Sequence, residues 1–368
     1  DWTPALAHRV RFGAGYTLHS YQPGGSRRTY IVGSTQTFTC DSTASYLANE
    51  ANAYIEDDWR INEMFRLNAG LHLSLFNIDG KTNFGFGPRL SFSYRPDRNW
   101  AVKAAYARTN QYVHQLTQTY LSLPTDQWVP VTGNFKPQNA DKVSVGVYWQ
   151  SDNKTFTASV EGFWKVMRNL VDYRDEYYLR PPTEIWNSQL CSGKGTAKGI
   201  DFKIEKVYGR LSGHVAYTLS WSDRTFPDKN GGETFPARFD NRHTVNILLN
   251  WVINDRMSLN AAWTGRSGNR FTLLTQVWEA PAFGSSFRGD EIPLQTHINN
   301  YQLPFYHRLD LSLTVRNKRG YWNFGLYNAY CHLNTVAVRR YWDNYGRPVF
   351  QKVKMLPLIP SISYTWQF

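Results

Sequence analysis

The chain has 368 residues, 42% hydrophobic and 16% aromatic, and its 41 Lys and Arg against 29 Asp and Glu leave a formal charge of +12. No run approaches the roughly eighteen consecutive apolar residues of a spanning helix, which excludes helical membrane insertion. The basic residues are scattered rather than gathered into a stripe, which argues against a nucleic-acid partner, and the opening Asp1-Trp2-Thr3-Pro4 lacks the basic start and apolar run of a signal peptide. Either such a segment has been removed or the chain begins inside a larger protein.

With 23 Tyr, 21 Phe and 14 Trp against 4 Met, the composition favours strands, because broad rings pack well on pleated surfaces. A mean hydropathy of −0.51 does not argue against a membrane barrel, in which only alternate residues meet lipid.

Taken in chain order, apolar residues recur at every second position over long segments. Phe65, Leu67, Ala69, Leu71, Leu73 and Leu75 form one such run. Val143, Val145, Val147 and Trp149 turn through Ser151-Asp152-Asn153-Lys154 into Phe156, Ala158, Val160 and Trp164. Val245, Ile247, Leu249 and Trp251 turn through Ile253-Asn254-Asp255 into Met257, Leu259, Ala261 and Trp263. Leu309, Leu311, Leu313 and Val315 alternate with Arg308, Asp310, Ser312 and Thr314, and Ile362, Tyr364, Trp366 and Phe368 end the chain in the same rhythm.

This pattern predicts about fourteen strands: 6–20, 47–59, 63–77, 82–94, 99–110, 140–150, 155–168, 198–206, 210–221, 242–252, 256–265, 305–315, 320–331 and 347–368. The last is read as one strand interrupted near Pro357 and Pro360. Tight turns fall near 60–63, 95–98, 151–154, 206–210, 253–255 and 316–320. Longer intervals fall at 21–46, 111–139, 169–197, 222–241, 266–304 and 332–346, with the short connection 78–81 on that same side. A soluble all-β repeat explains alternation alone. Long strands with one side of tight turns and one of expanded loops point instead to a transmembrane antiparallel β-barrel, whose closure satisfies the backbone in hydrocarbon.

Smaller signals carry less. Cys40, Cys191 and Cys331 have no metal or redox spacing, although a Cys40–Cys191 disulfide is open. Gly193-Lys194-Gly195-Thr196 lacks the full phosphate-loop pattern, and Asp228-Lys229-Asn230-Gly231-Gly232-Glu233 reads as a polar turn more than a calcium loop. The histidines show no compact metal-ligand spacing. His214 with Asp223 and Glu161 with Asp172 are the only pairings an enzyme reading offers, and neither forms a specific motif. No catalytic residue, cofactor or metal is expected.

From Arg210-Leu211-Ser212-Gly213-His214 through Phe235-Pro236-Ala237-Arg238-Phe239-Asp240-Asn241-Arg242-His243, then Trp263-Thr264-Gly265-Arg266-Ser267-Gly268-Asn269, Leu303-Pro304-Phe305-Tyr306-His307-Arg308-Leu309-Asp310 and Gly325-Leu326-Tyr327-Asn328-Ala329-Tyr330, the chain resembles the barrel of a Bacteroidetes-type TonB-dependent outer-membrane receptor. The ending Ser363-Tyr364-Thr365-Trp366-Gln367-Phe368 resembles an outer-membrane assembly signal carried by Tyr364, Trp366 and Phe368. The resemblance implies a 22-stranded barrel around a plug. Residues 1–368 would then be its carboxy-terminal portion, strands nine to twenty-two, in the cell outer membrane. It further implies TonB-dependent uptake of a bulky solute (siderophore, glycan or peptide) and, as partners, the remaining amino-terminal barrel and plug segment, the TonB energy-coupling complex, outer-membrane lipids and a surface lipoprotein.

Rings and cations of the longer loops are the candidates for contacting that solute: Tyr112, His114, Tyr120 and Trp128; Tyr173, Tyr177, Tyr178 and Trp186; Trp278, Phe283, Phe287 and Arg288; and Arg238, Arg242 and Arg266 for an anionic solute. For any one ring the plainer role is loop packing or interfacial anchoring. For any one arginine it is an ion pair of the barrel wall. A passive fourteen-stranded porin or hydrophobic-solute channel is the main alternative, followed by a structural or adhesion barrel.

Overall fold

Successive side chains of a strand point to opposite faces, so a chain of period-two segments builds a sheet with one apolar and one polar side. The computed structural model describes residues 1–22, 26–32, 36–42, 45–116, 127–132, 135–175, 190–273, 276–279, 291–294, 297–343, 345 and 347–367, and the side chains among these outside 26–42, 127, 276–294, 342 and 348.

Among the described residues, fourteen long antiparallel strands carry the fold: β1 (His8–Tyr21), β2 (Tyr46–Arg60), β3 (Phe65–Ile78), β4 (Lys81–Tyr94), β5 (Trp100–Gln111), β6 (Gln138–Gln150), β7 (Phe156–Tyr173), β8 (Leu190–Lys206), β9 (Leu211–Thr225), β10 (His243–Asn254), β11 (Met257–Arg266), β12 (Tyr306–Asn317), β13 (Gly320–Tyr327) and β14 (Ile359–Trp366). Contacts divide the chain into two units. One contains Asp1–Val147, Gly162–Lys198 and Arg224–Thr234, the other Tyr148–Glu161, Gly199–Asp223 and Phe235–Phe368.

In the first unit β1 to β5 pair in chain order, each with the next. The register puts Phe12 opposite Ile55, Ile55 opposite Leu71, Leu71 opposite Pro88 and Leu75 opposite Phe84. These residues share a face on which Phe12, Leu18, Leu47, Ile55, Leu75, Phe84, Phe86, Phe92, Trp100 and Val102 stand exposed. The opposite face is polar. There Arg11 Nη2 meets Glu56 Oε1 at 2.6 Å and His19 Nε2 meets Glu50 Oε2 at 2.9 Å. Large hydrophobes exposed in rows, with polar groups paired on the other side, invert the arrangement of a water-soluble sheet and match a lipid-facing wall.

The second unit repeats the device. β9 pairs with β10, β10 with β11, β11 with β12, β12 with β13 and β13 with β14. Trp251, Leu259, Leu313, Phe324 and Ile362 lie across from one another on its apolar face, and Asn260, Ser312, Gly325 and Ser361 follow the polar one. Gly213 adopts φ +149, and a Cβ there would run into the Leu248 carbonyl of β10, so the close approach of β9 and β10 requires glycine.

Every long strand answers to an expected one, yet three expectations are corrected. The final span 347–368 is not one strand. Pro348–Lys354 pairs with Thr335–Trp342 in a separate hairpin, and β14 begins only at Ile359. Pro357 has no N–H to donate to a continuing ladder, and the chain leaves strand conformation there. β7 and β8 run past the expected 168 and 198, to Tyr173 and from Leu190. β13 stops at Tyr327 rather than 331, because Asn328 and Cys331 turn through positive φ of 54° and 56°.

The short strand Trp2–Ala5, paired with β1, was not foreseen. Within the longer intervals, short hairpins pair Ser26–Val32 with Gln36–Ser42, Val113–Leu116 with Gln127–Pro130 and Gln276–Glu279 with Glu291–Leu294.

Candidate functional site

Tight turns close one end of each unit and long connections lie at the other. In outer-membrane barrels these are the periplasmic and extracellular ends respectively. The candidate residues among those described lie at the long-connection end of their own unit.

In the first unit, the hairpin Val113–Leu116 with Gln127–Pro130 packs Leu116 and Val129 onto Tyr173 and Leu190. Tyr112 is buried, stacked on Phe76 with ring centroids 4.8 Å apart, and its hydroxyl lies 2.6 Å from Ser74 Oγ. His114 is buried too, and burial holds its imidazole below the ordinary histidine range. Tyr112, His114 and Tyr173 therefore serve the packing of this end, whereas Trp128 is 56% exposed. Tyr120, Tyr177, Tyr178, Trp186, Phe283, Phe287 and Arg288 lie outside the described residues, as does the side chain of Trp278.

Beside this cluster a polar clasp joins two connections. Lys229 Nζ reaches Asp172 at 2.8 Å, Arg174 Nη1 reaches Asp228 at 2.5 Å, and the Asn230 N–H donates to Asp175 at 2.6 Å. Beneath it the Cys191 thiol donates to the carbonyls of Asp172 and Tyr173 at 3.5 and 3.8 Å. It is a free thiol, so it forms no disulfide with Cys40, whose side chain is not described. Burial pushes the thiol up to about 12. Asp228 is thus an ion-pair partner, and among the described residues no group of three or more His, Cys, Asp or Glu side chains could hold a metal. Gly193-Lys194-Gly195-Thr196 is plain strand in β8.

The second unit concentrates cations. Asp240 is 2% exposed. Its carboxylate accepts from the Ser222 N–H at 2.9 Å, bonds Arg242 Nη2 at 3.1 Å and lies 3.7 Å from Arg270 Nε. Arg238 holds this corner through its carbonyl, which accepts from the Arg270 N–H at 2.9 Å, while its guanidinium lies 4.9 Å over Phe239. Arg242 stands 4.9 Å over Trp221.

A second tier lies on the polar face of β11 and β12. Arg266 stands over the Tyr306 ring. Arg308 donates to the Tyr327 hydroxyl at 2.9 Å and pairs with Asp310 at 2.8 Å. Nε of Arg242, Arg266 and Arg270 is buried without a hydrogen-bond partner among the described residues. Among the described residues, Arg242, Arg266, Arg270 and Arg308 meet the two carboxylates Asp240 and Asp310, which leaves this surface positive, and the Nε groups of Arg242, Arg266 and Arg270 remain as donors for an anion. Sequence reading had named Arg238, Arg242 and Arg266. It passed over Arg270, Arg308, Asp240 and Asp310, although Arg308 and Asp310 already stood at polar positions of an alternating strand.

Neither enzyme pairing assembles. Glu161 accepts from the Tyr148 hydroxyl at 2.6 Å, Asp172 is taken by Lys229, and His214 stands opposite Leu248 in the ladder.

The model of the family described as TonB dependent receptor-like, beta-barrel matches residues 1–330. No curated protein matches the chain. Among solved structures, the fold is similar to the ferric-catecholate import receptor Fiu of E. coli K12, with 14% identity, a TM-score of 0.61, and coverage of 97% of this chain and 52% of that one. It is similar to the ferripyoverdine receptor of Pseudomonas aeruginosa, with 12% identity, a TM-score of 0.62 and coverage of 98% and 46%. The ferric yersiniabactin uptake receptor FyuA of Yersinia pestis gives 13%, 0.62, 100% and 52%. The chain thus spans about half the length of the solved receptors it matches. Lipid-facing rows, one-sided loops and a family match across most of its length agree: the chain belongs to the TonB-dependent receptor β-barrel family of the outer membrane.

Proposed function

We propose that this chain forms the wall and extracellular surface of a receptor that actively imports a bulky, anionic, siderophore-type solute across the outer membrane, driven by the TonB energy-coupling complex. The observation that carries the reading is the cationic surface of Arg238, Arg242, Arg266, Arg270 and Arg308 at the extracellular end of a barrel of this family. Buried guanidinium N–H groups without partners favour an anion that completes their hydrogen bonds. In the second unit Trp278, Phe287 and Arg288 from the loops would extend the contact surface, and in the first Trp128, with Tyr120, Tyr177, Tyr178 and Trp186, would offer a stacking surface of its own. Tyr112, His114 and Tyr173 would support it from beneath.

Further strands and a plug complete the assembly in this reading. Trp2–Ala5 covers β1 only between His8 and Val10, and among the described residues no strand pairs with that edge beyond Val10. An open edge is too costly in hydrocarbon to stay unpaired. We assign the receptor to the Bacteroidetes type, with a surface lipoprotein as partner, on the phrases quoted from 210 to 330. We take Tyr364, Trp366 and Phe368 as its assembly signal; Tyr364 and Trp366 lie on the apolar face of β14.

The test is uptake by cells carrying the full-length receptor, with ferric siderophores, glycans and peptides offered in parallel. Uptake of one anionic class is expected to cease when the proton gradient is collapsed or TonB is deleted. Uptake that persists unchanged identifies a passive channel and overturns the proposal.

A further inference from the structure

The apolar face of the first unit ends, toward the long connections, in a group of cations. Val143, Val145 and Val147 of β6 are exposed at 48%, 52% and 41%, and Trp164 of β7 at 61%. Counting by twos from these residues leads to Asp141 and Asn139 on β6 and to Arg168 on β7, all on the face that meets lipid. The contacts agree with the count. Asp141 accepts from Arg108 Nε at 2.7 Å, Arg108 Nη2 at 3.0 Å, the Tyr106 hydroxyl at 2.8 Å and Arg168 Nη1. Arg168 also donates to Asn139 at 3.3 Å.

On β8, even-numbered residues are exposed and odd-numbered ones are more buried from Cys191 onward, so Lys194 and Lys198 continue the face of Ile200 and Phe202. Lys198 is two residues above Ile200, a rise of about 7 Å along the strand. Asp141 engages Arg108 and Arg168, and Lys194 and Lys198 follow on the same face of β8, so this face carries four cations and one carboxylate whose oxygens are already taken. Among the described residues Lys194 and Lys198 form no ion pair. A binding surface for the imported solute would face the interior or the loops; this one faces outward, at the level where hydrocarbon gives way to headgroups.

We propose that Arg108, Arg168, Lys194 and Lys198 form a headgroup site for a phosphate-bearing lipid of the outer leaflet. The phosphate accepts from the guanidinium N–H groups that Asp141 leaves free and from the lysine ammoniums, while the acyl chains lie along Val143, Val145 and Trp164. Asp141 pairs with both guanidiniums and offsets one of the four positive charges, so it competes with the phosphate. The proposal is independent of which solute the receptor imports.

The test uses the full-length receptor in phosphatidylcholine nanodiscs carrying either a glucosamine-disaccharide lipid with two phosphates or the same lipid dephosphorylated, with bound lipid counted by native mass spectrometry. The phosphorylated lipid is expected to be retained and the dephosphorylated one lost. Lys198→Gln, an exposed and unpaired position that leaves the fold intact, should weaken retention about fivefold, and Arg168→Gln with Lys198→Gln about thirtyfold. Asp141→Asn, which removes the competing carboxylate, should strengthen retention in protein that keeps its heat-modifiable electrophoretic mobility. Equal retention of both lipids, unchanged retention in Lys198→Gln, or full displacement by inorganic phosphate at the lipid's own concentration would overturn the proposal. The last outcome would mark a site for soluble anions.

Discussion

Arg266 of β11 stands 4.5 Å over the ring of Tyr306, the residue directly opposite it on β12. The ladder sets the pair, because adjacent strands bring opposite residues within reach on the same face. The ring holds the guanidinium without consuming its hydrogen bonds, and Nε stays free for a ligand. Arg266→Gln is therefore expected to cost about 1 kcal/mol or less of stability, while affinity for the anionic solute falls about tenfold or more. Calorimetric titration of the full-length receptor beside a urea-unfolding curve separates the two effects. Equal loss in both would make Arg266 a wall residue only.

Asp240 is the hub of the corner before β10, and its side chain is only 1% exposed. Asp240→Ala removes the partner of Arg242, Arg270 and the Ser222 N–H together, and a buried pair broken in this way costs about 3–5 kcal/mol. The expected result is early proteolytic cleavage within 226–242 and a lower thermal midpoint. Asp240→Asn, which keeps the acceptor for Ser222, should show less of both.

The apolar face can be tested one strand at a time. Leu71 and His72 are neighbours on β3 that point to opposite sides, opposite Ile55 and Tyr54 respectively. Leu71→Arg should impair folding into bilayers by about 2–4 kcal/mol, as a cation facing lipid does, whereas His72→Arg on the polar face should be tolerated. Urea-dependent folding into vesicles of both variants measures the difference.

Cys191 and Cys331 should differ in reactivity. Burial raises the Cys191 thiol to about 12, so at pH 8 its thiolate fraction is about a thousandfold below that of an ordinary cysteine, while Cys331 is exposed. A maleimide is expected to label Cys331 in the folded receptor and to reach Cys191 only after denaturation. Rapid labelling of Cys191 in folded protein would show that the clasp of Lys229 and Asp172 opens.

His114 gives a pH signature. Its folded value lies below the ordinary 6.5 because burial disfavours the imidazolium, so above 6.5 the ring is neutral in both states and contributes no pH dependence. As pH falls below 6.5 the unfolded chain takes up a proton that the folded one resists. Stability of the hairpin at 113–130 is thus lost between 6.5 and the depressed folded value, and is flat below it. Hydrogen exchange of Val129 and Val131 across this range should follow that course, and His114→Phe should abolish it.

Much of this molecule is a local property of its sequence. Period-two alternation at Leu67 to Leu75 or Leu309 to Val315 assigns strand and face together, because a strand's side chains alternate whatever the strand pairs with. Turns such as Ser151-Asp152-Asn153-Lys154 then determine which end is tight. The fourteen long strands and their lipid-facing rows were legible for that reason, and family-like phrases placed them in an outer-membrane receptor.

Tertiary structure alone decided what meets across long separations. Asp240 gathers Arg242 from two residues away and Arg270 from a different connection, and nothing in either segment names the other. Tyr112, one of the rings that could contact the solute or pack the loops, packs, because Phe76 of β3 lies against it. The final span divides because Pro348–Lys354 finds Thr335–Trp342 as a closer partner than β13. Strand identity follows from the pattern of single side chains. Ion pairs, ring stacks and hairpin choices follow from which segments the paired strands bring together.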